Sequence, residues 1–151
     1  MNTGQMPEVL TLHIALSGWR TGGQPWSAVM EIPEDATLGE LHHTIQKLVK
    51  FDDDHLFEFY AGRNWRQRKV EFGGPESPFD ASEADDIKLA NVFPLPKSCK
   101  LYYHFDFGDD WVFEIKSPIR RKPMNRRAKY PRFIEESGRR PRQYGGDRDE
   151  G

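Results

Sequence analysis

Leu101-Tyr102-Tyr103-His104-Phe105-Asp106-Phe107-Gly108-Asp109-Asp110-Trp111-Val112-Phe113-Glu114-Ile115 is the stretch on which the fold turns. Side chains alternate across a strand, so Leu101, Tyr103, Phe105 and Phe107 share one face while Tyr102, His104 and Asp106 share the other. Trp111, Phe113 and Ile115 likewise oppose Val112 and Glu114. A two-residue loop would pair Phe105 with Val112 and set the apolar faces at odds. The three-residue turn Gly108-Asp109-Asp110 pairs Phe107 with Trp111 and Phe105 with Phe113, so the apolar faces agree. It also sets His104 across from Glu114 on the outer face, with Asp106 one step along.

The residues upstream supply partners for this hairpin. Val9 to Leu16 alternates, with Leu10, Leu12, Ile14 and Leu16 on one side, and Trp26, Ala28, Met30 and Ile32 alternate after a loop rich in Gly and Pro. Thr37 and Glu40 form a capping box, each able to satisfy a backbone N–H at a helix start. Leu38, Leu41, Ile45 and Leu48 then recur at helical spacing until about Lys50, with Val49 widening the stripe. Leu56 to Tyr60 reads as a third strand, and Val70 to Phe72 as a short one. Asp85 to Phe93 fits either a strand at Ile87 to Leu89 or a turn. The order strand, strand, helix, strand is β-grasp-like. The expected fold is therefore α+β: a mixed sheet with one principal helix packed on one face, a late antiparallel hairpin and an irregular tail. Pro118, Pro123, Pro131 and Pro141 argue against a long helix or central strand from residue 117 onward, so the tail is expected to run as loops and turns.

At 151 residues the chain fits one domain, residues 1–151, on a norm of ~100 to 200 residues per domain. No apolar run approaches the ~18 to 20 residues of a membrane helix. Met1 to Pro7 lacks a basic start followed by an apolar block, so no secretory signal is expected. The single cysteine, Cys99, excludes an internal disulfide and a thiolate zinc cage. A reducing cytoplasm is the expected compartment. Charge is unevenly spread. Residues 1–115 carry 10 Lys and Arg against 19 Asp and Glu, whereas residues 116–151 carry 12 against 5. Such a tail either folds back on its own acidic body or meets an acidic partner.

Trp19-Arg20, Pro25-Trp26, Leu41-His42, Ile45-Gln46 and His55-Leu56-Phe57-Glu58-Phe59, together with Tyr103 to Trp111, resemble the plasmid pRiA4b ORF-3-like proteins. Tyr130-Pro131 and Gly145-Gly146 extend the likeness over most of the chain, and Asp-Phe-Gly-Asp-Asp-Trp is its most specific element. No phosphate-binding glycine loop or catalytic-loop motif accompanies that element, so it is not the kinase signature. The resemblance implies a fold of this α+β type and carries no established activity; nothing in the sequence supports the resolvase label borne by some relatives. The chain departs from the family pattern where a His is common in place of Phe113, a Cys near Phe133, and an acidic stretch in place of Pro141-Arg142-Gln143-Tyr144. The resemblance then implies that part of any metal or polar site built from those groups is lost here.

Three readings of the surface follow. The first is a non-catalytic binding module whose partner surface is His104, Asp106, Gly108, Asp109, Asp110, Trp111 and Glu114, with an unidentified protein as partner. The second is nucleic-acid binding, in which Arg63, Arg66, Arg68, Arg126, Arg127, Arg139 and Arg140 meet phosphates and Trp65 stacks on a base. The third is a metal-dependent enzyme at the face of His104, Asp106 and Glu114, since imidazole and carboxylates suit a divalent ion. Against the third, alternate polar residues on a strand simply face water, and aspartates suit turns. No Ser/His/Asp or Cys/His arrangement is recognisable, and His42 beside the apolar stripe reads as a packing residue. No catalytic residue, metal, cofactor or membrane partner is expected.

Overall fold

Alternating apolar residues place Leu10, Leu12, Ile14 and Leu16 of β1 (Val9–Ser17) and Trp26, Ala28, Met30 and Ile32 of β2 (Trp26–Pro33) in one buried layer. The two strands pair antiparallel, Leu12 opposite Met30 and Ile14 opposite Ala28. The computed structural model describes residues 6–17, 25–52, 56–72, 86–106, 110–118 and 120–141. Helix α1 (Leu38–Val49) begins at the expected capping box: Glu40 N–H donates to Thr37 Oγ1 at 3.1 Å and Thr37 N–H to Glu40 Oε1 at 2.9 Å. It ends in a left-handed turn at Lys50, φ 61°. Leu38, Leu41, Ile45 and Leu48 bury against the sheet, each contributing roughly 1.5 to 3 kcal/mol of apolar transfer.

The sheet continues with β3 (Phe57–Gly62), β4 (Val70–Phe72), β5 (Lys100–Phe105), β6 (Trp111–Lys116) and β7 (Arg132–Gly138), in the spatial order β4-β3-β5-β6-β1-β2-β7. Every strand pair among the described residues is antiparallel. This overturns the expected α+β, mixed-sheet, β-grasp-like fold: the described residues are mainly β, forming a seven-stranded antiparallel sheet with one short α-helix among them. The strand after the helix does not join the first hairpin. The free edge of β1 is taken by β6, where Ile14 opposite Ile115 and Leu16 opposite Phe113 continue the same apolar layer, and β3 is left to pair with β4 and β5.

The tail is a second correction. Between Pro131 and Pro141 the chain forms β7, an edge strand on β2. Proline stops a strand from extending without forbidding one that fits between two of them. The strand ends at Gly138, φ +84°, where a Cβ would stand 2.1 Å from the carbonyl oxygen of Pro25. Cations of the tail pair with acids of the body: Arg121 with Glu34 at 2.5 Å, Arg132 with Glu31 at 2.8 Å, and Lys122 also with Glu31. The described part of the tail folds back on its own body.

The late hairpin keeps its predicted faces and changes its register. Phe105 pairs with Trp111 and Tyr103 with Phe113, two residues away from the expected pairing, so His104 faces Val112 and Tyr102 faces Glu114. A shift of two preserves which side each residue faces. The connection spans residues 106–110 and is closed by Asp110 N–H donating to the Asp106 carbonyl at 2.6 Å. Both aspartates have positive φ, 65° and 57°, a conformation that aspartate tolerates better than most residues. Phe105 and Phe113 are both buried in the core beneath α1.

Candidate functional site

The face of the sheet away from α1 carries a polar chain built by strand pairing. Glu58 on β3 stands directly opposite His104 on β5, and His104 opposite Val112 on β6. His104 Nδ1 lies 2.7 Å from Glu58 Oε2, and its Nε2 lies 2.8 Å from Asp110 Oδ1. Arg68 closes the far end, with Nη1 donating to Glu58 Oε1 at 2.8 Å and Nη2 to Oε2 at 2.6 Å, a two-pronged pair that fixes geometry as well as charge. Arg68 reaches Glu58 because the loop after β3 doubles back, Lys69 N–H donating to the Ala61 carbonyl at 2.7 Å. That close return needs a glycine at position 62: a Cβ there would sit 1.6 Å from the Gln67 carbonyl oxygen.

Aromatic rings wall this chain on one side. Tyr60 stacks on Tyr102 at 5.5 Å, the Arg68 guanidinium lies 4.2 Å above the Tyr60 ring, and the Tyr60 hydroxyl donates to the Trp65 carbonyl at 2.6 Å. Burial lifts the Tyr60 phenol to about 12, so it stays a hydrogen-bond donor at neutral pH. Burial also works against charge on Glu58, but the hydrogen bonds from Arg68 and then His104 prevail and hold its carboxyl down at about 2. Burial likewise opposes a charge on His104, and the hydrogen bonds to Glu58 and Asp110 outweigh it, raising the imidazole above its ordinary value. When protonated, the ring donates both N–H groups, one to each carboxylate.

The other expected surface residues go to different places. Asp106 is buried; its N–H donates to the Leu56 carbonyl at 2.9 Å and its carbonyl accepts from Asp110 N–H at 2.6 Å. Trp111 belongs to the core, its ring 4.9 Å from that of Phe51, so its assignment to the partner surface is corrected. Glu114 shares the outer face but sits toward the other end of the hairpin, 3.6 Å from Lys100, 3.7 Å from Lys116 and 3.5 Å from the Tyr102 hydroxyl. The structure thus joins His104 to Asp110 and Glu58 and places Glu114 in a separate cluster. Gly108 and Asp109 lie outside the described residues. Among the described residues no group of three or more His, Cys, Asp or Glu side chains is arranged to hold a metal ion.

The basic set divides as well. Arg68 is bound to Glu58, and Arg140 pairs with Glu136 at 2.7 Å. Trp65 packs against Tyr60, Tyr102 and Val112 with Arg66 4.9 Å above its ring. Arg63, Arg126, Arg127 and Arg139 are exposed. His42, as expected of a packing residue, is buried, stacked on Phe57 at 3.7 Å and hydrogen-bonded to the Tyr103 hydroxyl. Sequence reasoning missed Glu58 and Arg68 as members of one site. The available signal was a lone carboxylate between Phe57 and Phe59, which a half-buried strand keeps only when a partner is at hand.

A family model described as plasmid pRiA4b ORF-3-like protein matches residues 8–147. The uncharacterized protein y4hQ of Sinorhizobium fredii (strain NBRC 101917 / NGR234) is 30% identical over 90 residues, covering 56% of this chain and 42% of that protein. The chain thus spans less than half the length of that relative. The crystal structure of a protein of unknown function, MM3350 from Methanosarcina mazei Go1, matches with a TM-score of 0.64 at 23% identity, covering 89% of this chain and 70% of that one, a likeness of fold alone.

Proposed function

The chain belongs to the plasmid pRiA4b ORF-3-like protein family, the two similar proteins compared above are described as uncharacterized and of unknown function, and we propose on geometry that it is a non-catalytic binding module. It recognises a protein partner through the turn between β5 and β6. One observation carries this reading: both nitrogens of His104 face carboxylates, at 2.7 and 2.8 Å, so the polar chain ties Asp110, the residue that opens onto β6, to β5 and β3. A carboxylate held before binding loses less entropy on association, which favours affinity. Asp110, with 43% of its side chain exposed, offers a carboxylate at the rim. No helix among the described residues is long and apolar enough to cross a membrane. We place the module in the cytoplasm, where its single thiol stays reduced.

The test compares affinity capture by the wild-type chain with capture by the Asp109→Asn/Asp110→Asn double variant, both checked by circular dichroism for an intact fold. A specific partner lost in the double variant supports the reading, and one retained by it overturns the assignment. Binding of a mixed-sequence oligonucleotide that weakens steeply between ~50 and ~200 mM salt would instead move recognition to the exposed arginines Arg63, Arg126, Arg127 and Arg139.

A further inference from the structure

A cleft of about 790 Å³ opens at the opposite end of the β5–β6 hairpin from the turn. From His104 to Lys100 the strand runs four residues, roughly 14 Å, so the two places are separate. The volume falls within the ~300 to 1,000 Å³ of small-molecule sites. Its floor is apolar, formed by buried Phe93 and half-buried Leu95, with Pro94, Pro96 and Pro118 along the walls.

The wall supplied by the tail is held in position before any ligand arrives. Val9 and Lys122 exchange backbone hydrogen bonds of 2.7 and 3.0 Å, and Arg121 donates to Glu34 at 2.5 Å and to the Phe93 carbonyl at 2.7 Å. A cleft so braced keeps its shape without the ordering cost of a loop that must close.

Cations outnumber carboxylates at the rim. Lys97, Lys100, Lys116 and Arg121 line the cleft against a single carboxylate, Glu8, although the whole chain is formally −2. One step beyond the pair Leu101 and Ile115, the ladder brings Lys100 opposite Lys116. Like charges facing each other across a ladder are destabilising, and Glu114, 3.6 and 3.7 Å away, supplies one negative charge for the two. Lys97 is exposed and makes no ion pair among the described residues. An apolar floor beneath surplus cations matches a molecule with an apolar body and one anionic group.

We propose that this cleft binds a small organic carboxylate with an aromatic or branched apolar body, its carboxylate held by Lys97, Lys100 and Lys116 and its body resting on Phe93 and Leu95. The site goes beyond the turn surface and does not depend on it.

Calorimetric titration of the full chain with 2-naphthoate and with neutral 2-naphthamide tests this. The carboxylate should bind at least about tenfold more tightly than the amide, which corresponds to about 1.4 kcal/mol. The Lys97→Gln/Lys116→Gln double variant, altered at two exposed positions, should lose that discrimination while still folding. Cys99 lines the cleft and is the only thiol of the chain, so bound 2-naphthoate should slow its alkylation by iodoacetamide in proportion to occupancy. Equal binding of the two compounds, no binding of either, binding that leaves Cys99 unprotected, or discrimination that survives the lysine changes would each overturn the proposal. Unchanged 2-naphthoate binding by the Asp109→Asn/Asp110→Asn variant is expected and separates this site from the turn; its loss would refute that independence.

Discussion

Glu58 Oε2 lies 2.7 Å from His104 Nδ1 across neighbouring strands, and the two groups are displaced from their ordinary protonation in opposite directions. His104 is raised above 6.5, so the stability it contributes is fully present below that value and is lost as pH rises through its folded-state pKa. Glu58 is lowered from 4.5 to about 2, so its contribution is present above 4.5 and disappears as pH falls toward 2. The melting temperature should therefore peak between pH 4.5 and 6.5 with respect to these two groups. Scanning calorimetry across pH should show a fall on the alkaline side that His104→Gln flattens. An alkaline arm that keeps its slope in the variant would remove His104 as its cause.

Glu58→Gln keeps the shape of the side chain and removes the charge that Arg68 and His104 share. Loss of a buried, charge-assisted hydrogen-bond acceptor should cost about 2 kcal/mol, toward the lower part of the range because Arg68 remains partly hydrated. Urea denaturation measures it. The same variant should return the His104 pKa toward its ordinary value in an imidazole proton titration, since burial would then act against one carboxylate fewer.

Gly62→Ala places a methyl group where the Gln67 carbonyl already stands, 1.6 Å away. Backbone must move, and the loop carrying Arg68 moves with it. The expected result is a loss of about 2 kcal/mol together with a Glu58 carboxyl that titrates closer to 4.5 by carbon-13 NMR. An unaltered Glu58 titration would show that Arg68 does not owe its position to this glycine.

At the far edge, Gly138→Ala adds a side chain at φ +84°, where its Cβ meets Pro25. The left-handed backbone alone costs roughly 1 to 2 kcal/mol in a residue other than glycine. Hydrogen exchange should show the β2 amides facing β7 losing protection while those of β5 and β6 stay unchanged. Uniform loss across the sheet would mean that β7 does not detach locally.

Much of this architecture could be read from local periodicity, because parity and helical spacing depend on near neighbours. The faces of β1, β2 and the late hairpin, and the capping box at Thr37 and Glu40, are of this kind. The register of β5 on β6 escaped because a slip of two leaves every face intact, so hydrophobicity is blind to it. β7 escaped because all seven of its residues are exposed, leaving no alternation to read. The neighbour of β1 escaped because four strands compete for two edges, and local patterning carries no information about which one wins. The candidate site was half legible: His104 and Asp110 stood out as polar residues on an aromatic hairpin. Glu58 and Arg68 joined them only through strand pairing between residues 46 positions apart in the chain and a loop return at Gly62.

β7 has one further effect, on how copies of this protein behave in a crowded solution. It occupies the side of β2 that would otherwise present a row of bare amides and carbonyls to any passing strand. Its own outer margin is a poor template for further growth, being kinked where the pairing skips Ile134 and bearing Arg132, Glu135 and Glu136. β7 thus covers one edge of the sheet, and a chain cut short before Arg132 is expected to leave the β2 edge open to another strand.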